Sequence, residues 1–559
     1  MSSKTLYRLA GAAAAEPLVN RWVAWSHVLA PVAASLHLRH YQLNLLRSYL
    51  ENPHAHEQAC RNPRLRSGRF VEIPEARAGE VADFLAQTER LQAPNLKFAT
   101  SLIEFHNLLV EQARGLSLES FYARLPEELR GYVELVYDYY HRPSVRVIEG
   151  MLYESPYYDP RLQSFRLFAQ ESDSARSFIM NTPRLPSSDA IEWDVRFDSP
   201  DVDEFFRLDV RPQPLGYIRE LLGLHAEDEA RLLRLLTTEP ASPPPPVWDG
   251  EEARVRYFGH ACVLVEWKGT SILTDPCIGV APPAGAERHS FTDLPARIDY
   301  ALVTHNHHDH YALETLLRLR HRIGCLVVPR ADGLLYGDLS LKLLSRKLGF
   351  PKVVELDALE SIEIEDGAIT AVPFLGEHAD LAHGKTAYVI RTGASQIMFA
   401  ADSDCLDPHI YEHLRRTLGP IETVFLGMEC VGAPLTWSGG AFLPHPTPAS
   451  IDQSRRYKGC DSTRATALLD AVGATRLYIY AMGIEPWYEC LLGLAYEEDS
   501  TQLREARRLL DESRRTGARE ATLLVGKHEF LLKRPTRAVV APAPAAVTEP
   551  VTEDEFSFD

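Results

Sequence analysis

Residues 300–310 read YALVTHNHHDH: an apolar run, Tyr300–Thr304, passes without a break into His305, His307, Asp309 and His310. A short apolar run with polar flanks predicts a buried strand. A loop leaving that strand can aim His305 and His307 at one metal ion while Asp309 and His310 face a second. Imidazole nitrogen suits zinc, iron, copper or nickel, and carboxylate adds a hard anionic donor.

A dinuclear site needs further ligands, including one that bridges. QIMFAADSD ends another buried run with Asp402 and Asp404. Asp402 follows the apolar stretch directly and is preferred as the bridge; the alternative is that both aspartates cap the segment that follows. In AVPFLGEHAD a strand, Ala371–Leu375, delivers Glu377 and His378. Either is the next ligand, and the other then orients a ligand imidazole; Asp380 and His383, also near, are either surface residues or further supports.

Around these motifs the pattern is one of short strands and turns. VRYFGHACVLVEWKGTSILTDP reads as two or three strands ending at Asp275, and TAYVIRTGASQIMFAADSD as a hairpin turning at Gly393. LETLLRLRHR and TRATALLDAVG have helical spacing, so the expectation is two sheets covered by helices.

The clearest boundary is EPASPPPPVWD, residues 239–249, whose four consecutive prolines make a stiff extended linker. At 559 residues the chain is too long for one core, and two are expected. Residues 1–238 read as mixed α/β. Helical spacing marks Leu96–Gly115, the aromatic-rich Tyr132–His141 and Tyr217–Thr237; alternation marks strands in Ser164–Gln170 and Ala190–Asp198. The N-terminal alanine run is interrupted by Glu16 and Asn20, and Trp22–Leu38 contains Ser26, His27, Pro31 and Ser35. Both are expected to be helices of a soluble domain, neither a signal peptide nor a membrane span. Residues 535–559, rich in Pro, Ala and acids, are expected to be a disordered acidic tail.

A net charge of −18 excludes a nucleic-acid partner, which would need a clustered excess of Lys and Arg. The eight cysteines form no CxxC pair, which excludes a zinc ribbon and predicts reduced thiols in the cytoplasm. One local basic stretch, Arg61–Arg69, is either a docking patch for an acidic partner or a solvated charge run.

FGHACVLVEWKGTSILTDP, THNHHDH and FAADSD together resemble the metallo-β-lactamase superfamily. That resemblance implies an α+β architecture: an αββα sandwich over residues 250–534, preceded by the mixed α/β domain, with the site at the open edge between the sheets. It implies that His260 and Asp275 support the site rather than bind metal. Hydrolases of the superfamily bring a late histidine from a strand that here reads RLYIYAMG, where Met482 stands instead, and a thioether is a poor ligand for a hard dinuclear site. The remaining set is His305, His307, Asp309, His310, Glu377 and Asp402, rich in oxygen donors.

With its large N-terminal domain, this pattern resembles the diiron amino-acid β-hydroxylases of chloramphenicol biosynthesis and their relatives. The resemblance implies an O2-dependent monooxygenase with two Fe ions and an external reductant, acting on an amino acid tethered to a carrier domain of a nonribosomal peptide synthetase. It gives Glu377 a catalytic part, a change of coordination that opens a position for O2. It also implies a separate electron donor, a homodimer, and an N-terminal domain used for dimerisation and carrier docking. The alternative is a hydrolase with two Zn ions acting on a lactone, phosphodiester or thioester. Trp437, between the glycines of GAPLTWSGGAFLP, is a candidate wall or lid, and Tyr480, Trp487 and Tyr488 are candidate core residues.

Overall fold

The computed structural model describes residues 5–331, 336–376, 378, 384–393, 395–494 and 496–532. Two seven-stranded sheets carry the C-terminal region. In the first, His528–Leu532, Ala253–Gly259, Cys262–Trp267 and Thr270–Thr274 pair antiparallel, and Ile298–Leu302, Ile323–Pro329 and Val353–Leu356 continue in parallel. Lys268 and Gly269, both at positive φ, make the tight turn between two of these strands. The second sheet repeats the plan. Ser361–Ile364, Gly367–Val372, Ala387–Thr392 and Ser395–Phe399 pair antiparallel, followed in parallel by Thr423–Gly427, Arg476–Tyr480 and Glu520–Leu523. The strand expected over Ala371–Leu375 runs over Gly367–Val372 instead, ending there because Pro373 has no N–H for the ladder.

The sheets pack face to face through Val255, Val263, Ile272, Ile390, Phe399 and Phe425, all buried. Helices Pro408–Leu418, Ser462–Val472 and Thr501–Thr516 cover the outer face of the second sheet through Tyr411, Leu468 and Leu509. The outer face of the first meets Leu313–Leu319, Leu341–Lys347 and then the N-terminal region. This is the αββα sandwich that the motifs imply.

Two of the helical readings are corrected. The alanine run forms strand Ala13–Val19, paired antiparallel with Gln163–Ala169, and Tyr132–His141 supplies strand Val133–Tyr137, paired with Pro143–Val147. In both, cross-strand partners decide against a local helical spacing. Ala13, Ala14 and Ala15 pack into the core, and Val133 and Leu135 alternate with exposed Glu134. The second N-terminal segment is helical, over Ser26–Leu29 and Pro31–His37.

The expectation of separate cores is also corrected. One apolar cluster runs from Phe98, Phe165 and Phe206 into Leu264, Leu273 and Leu326, across the two regions that the prolines join. Buried ion pairs fasten the same seam: Arg318 reaches Asp209 at 2.5 Å and 3.0 Å, and Arg320 reaches Asp203 at 3.0 Å. Removing one partner of such a pair costs about 3–5 kcal/mol, so the N-terminal region is a fixed wall of the molecule.

Candidate metal centre

The site stands where strands end. His305–His310 follows the parallel strand Ile298–Leu302, and the loop is tied back by Tyr311 N–H donating to His307 O at 2.8 Å. Non-glycine residues at positive φ gather at the neighbouring strand exits: His260, Asp275, Ala401 and Ala481. Such backbone is uncommon and persists where its surroundings enforce it, as at a functional site.

Asp402 leaves Ser395–Phe399 into the middle of the group. Its Oδ2 lies 2.9 Å from His310 Nε2, 3.3 Å from His378 Nε2 and 3.9 Å from His305 Nε2. His307 Nδ1 is 3.0 Å from His378 Nε2. Three sets of donor atoms, His305–His307–His378, His305–His310–Asp402 and His260–Asp309–His310, each lie within 4.8 Å of one another. Asp404, the alternative to Asp402, turns away to Arg464 at 2.5 Å. Glu377, Asp380 and His383 lie outside the described residues, whereas His378 joins the group.

His260 and Asp275 stand one step behind. His260 Nε2 is 3.0 Å from Asp309 Oδ2. Asp275 accepts from Thr304 N–H at 2.8 Å and lies 2.9 Å from His310 Nδ1. A carboxylate only accepts, so the Nδ1 proton faces Asp275 and Nε2 is turned toward the cluster. Met482 is a core side chain whose sulfur accepts from Met428 N–H at 3.3 Å.

The donor chemistry fits metal ions. His305 Nε2, His310 Nε2 and His378 Nδ1 are buried without a hydrogen-bond partner, although His310 Nε2 is close to Asp402. Burial, then neighbouring imidazoles, pushes His305 and His307 well below the usual histidine range, leaving the neutral form that binds metal. Burial pushes Asp402 up, but His378 and His310 outweigh it and hold the acid at about 2. Glu429 was not anticipated from the sequence. It follows strand Thr423–Gly427, lies 3.8 Å from His378 Nδ1 and is pushed well up by burial and by Asp402 and Asp309. A carboxylate at a strand exit, the signal that marks Asp402, marks it too.

His307, Asp309, His378 and Glu429 open onto a pocket of about 360 Å³ walled by Trp437 and Tyr457. Trp437 Nε1 donates to Ser67 O at 3.2 Å, so the N-terminal region borders this pocket. The basic stretch beside it is engaged within the chain: Arg64 pairs with Glu497, Arg66 with Glu489, and Arg69 donates to Thr436 O. Tyr480, Trp487 and Tyr488 are buried.

Residues 8–240 match the diiron non-heme beta-hydroxylase N-terminal domain, and residues 270–477 match the beta-lactamase superfamily domain. The chain is 36% identical over 503 residues to the 4-amino-L-phenylalanyl-[CmlP-peptidyl-carrier-protein] 3-hydroxylase of Streptomyces venezuelae, spanning 88% of this chain and 93% of that one. The chain belongs to the diiron β-hydroxylases. The crystal structure of CmlA, a diiron β-hydroxylase from Streptomyces venezuelae, superposes with a TM-score of 0.86 at 32% identity, covering 95% of this chain and all 100% of that one. A mutant of the same β-hydroxylase gives 0.84 at 32% identity, over 94% and 100% of the two chains. Membership makes the chain an amino-acid hydroxylase of the diiron class, and the imidazole and carboxylate donors fit iron.

Proposed function

We propose that this chain hydroxylates the β-carbon of an amino acid carried as a thioester on a carrier domain of a nonribosomal peptide synthetase. The reading is carried by the convergence of His305, His307, His310, His378, Asp309 and Asp402 at the base of an open pocket. It is supported by a relative that acts on an aminoacyl group bound to a peptidyl carrier protein.

His305, His307, Asp309, His310 and Asp402 are assigned as the residues that would hold two iron ions, with Glu377 or His378 as a further ligand. Bound iron supplies the activation of O2, with electrons from a separate donor. The chain's own residues do the rest. Asp275 and His260 orient His310 and Asp309. Trp437 and Tyr457 wall the pocket and limit water around the carried side chain. Residues 1–238 are assigned to dimerisation and carrier docking, supported by the contact of Ser67 with Trp437 at the pocket. The free cysteines support a cytoplasmic location, and among the described residues no helix is long and apolar enough to cross a membrane.

Metal analysis of protein purified without added metal, followed by O2 uptake with an aminoacyl carrier domain, tests the reading. About two irons per chain and one added oxygen atom on the carried amino acid are expected; about two zincs without O2 uptake overturn it. Glu377→Asp and Glu377→His are expected to uncouple O2 consumption from product, and unchanged coupling in both removes the gating part assigned to Glu377.

A further inference from the structure

A second cavity, of about 60 Å³, lies where the N-terminal region meets the back of the ligand loop. Most of its wall is hydrocarbon. Val23 and Ile179 come from the N-terminal region, and Ile278, Val280 and Leu313 from the sandwich; none is more than 6% exposed. His308, between His307 and Asp309 in sequence, lines this cavity and also the 360 Å³ metal pocket. At the other side, Gln170 and Arg176 line both the cavity and an open cleft of about 520 Å³ on the N-terminal region. The three spaces are neighbours that share walls: Gln170 and Arg176 stand between cleft and cavity, and His308 between cavity and metal pocket.

His308 is held as a partition. Its Nε2 donates to Leu491 O at 2.7 Å, and its ring sits between Trp25 and Trp437, with centroids at 5.8 Å and 5.7 Å. It is 3% exposed.

Arg176 and Glu314, paired at 2.7 Å, also line it, but the hydrocarbon side of such a cavity takes small apolar guests such as xenon, and about 10–15 Å³ of space already holds a molecule the size of water. A solvent ion meets no vacant counter-charge there, because Arg176 and Glu314 are paired with each other, and it would lose its hydration against the hydrocarbon side. Dioxygen is neutral, apolar and small. A carrier-borne substrate occupying the open pocket would also block the direct path to the metals, which makes a separate path for the gas useful. We propose that the cavity behind His308 is an entry and holding site for dioxygen, filled from the Gln170–Arg176 side and emptied past His308 into the metal pocket. This rests on the O2-dependent reading given above.

Xenon-pressurised crystals of the iron-loaded protein and the O2 dependence of turnover test it together. Val280→Phe and Ile179→Phe narrow the cavity from opposite walls, so a folding failure in one leaves the other. Xenon is expected beside Val280 and Leu313 in the wild type. In the variants kcat/KM for O2 is expected to fall about tenfold, with iron content, the KM for the aminoacyl carrier and kcat at saturating O2 unchanged. A wild type that takes up O2 but binds no xenon there, with both variants unchanged toward O2, overturns the cavity assignment. A wild type that binds xenon yet consumes no O2 with an aminoacyl carrier overturns the activity instead, and the dioxygen assignment with it.

Discussion

Glu16, within a strand, and Asp402, just past the end of one, are both buried carboxylates, and their surroundings differ in kind. Glu16, fully buried, is met by Arg184 at 2.9 Å, Arg176 at 2.8 Å and Arg166 at 3.3 Å. Burial raises its pKa, but Arg184 and Arg176 outweigh that and hold it well below the usual carboxylate range. Asp402 is met by imidazoles, and Asp309 and Glu429 are close enough to perturb it or be perturbed by it. Guanidinium stays charged, so the Glu16 network is closed by the chain itself. Imidazole can be neutral, and among the described residues the ion pairs of Asp402 and Asp309 are with imidazoles. The first cluster ties segments of the N-terminal region to one another; the second is arranged for cations from outside.

The contrast predicts opposite consequences for substitutions. The largest effect is expected at the open cluster. His305→Ala should weaken metal binding by more than about 100-fold, beyond the usual cost of losing an outer partner, and bring hydroxylation below detection with little change in melting temperature. Full iron content and activity in that variant would break the contrast.

At the closed cluster Glu16→Gln leaves three guanidiniums without their shared partner, and a loss of about 3–5 kcal/mol is expected in denaturant unfolding. The pH dependence follows from the sign of the shift. Because the folded Glu16 has a pKa below its ordinary 4.5, its contribution is complete above about pH 4.5 and lost as pH falls below it. The stability gap between wild type and Glu16→Gln should therefore narrow in acid, and a gap that widens there would contradict the network.

A smaller effect is expected one step behind the metals. His260→Gln removes the contact with Asp309 at 3.0 Å and should lower metal affinity about 10–100-fold while leaving the fold intact. Smallest is the exposed pair Arg64–Glu497: Arg64→Ala should leave the melting temperature unchanged, since solvent screens such a pair. If carrier affinity falls in that variant, the stretch Arg61–Arg69 regains a part in docking.

Chemical features that lie close together along the chain were legible before any fold was known. His305-x-His307-x-Asp309-His310, Asp402 at the end of an apolar run, and the prolines before the sandwich are each legible within ten residues, because strand exits place consecutive donors side by side. Tertiary structure decided what depends on distant partners. The alanine run is a strand because its partner lies at Gln163–Ala169, and its Glu16 is tolerated because Arg166 and Arg184 arrive from 150 and 168 residues away. Glu429 joins the site, and one core spans both regions, for the same reason. Burial and charge pairing are properties of the folded neighbourhood, and no local spacing encodes which segment will supply it.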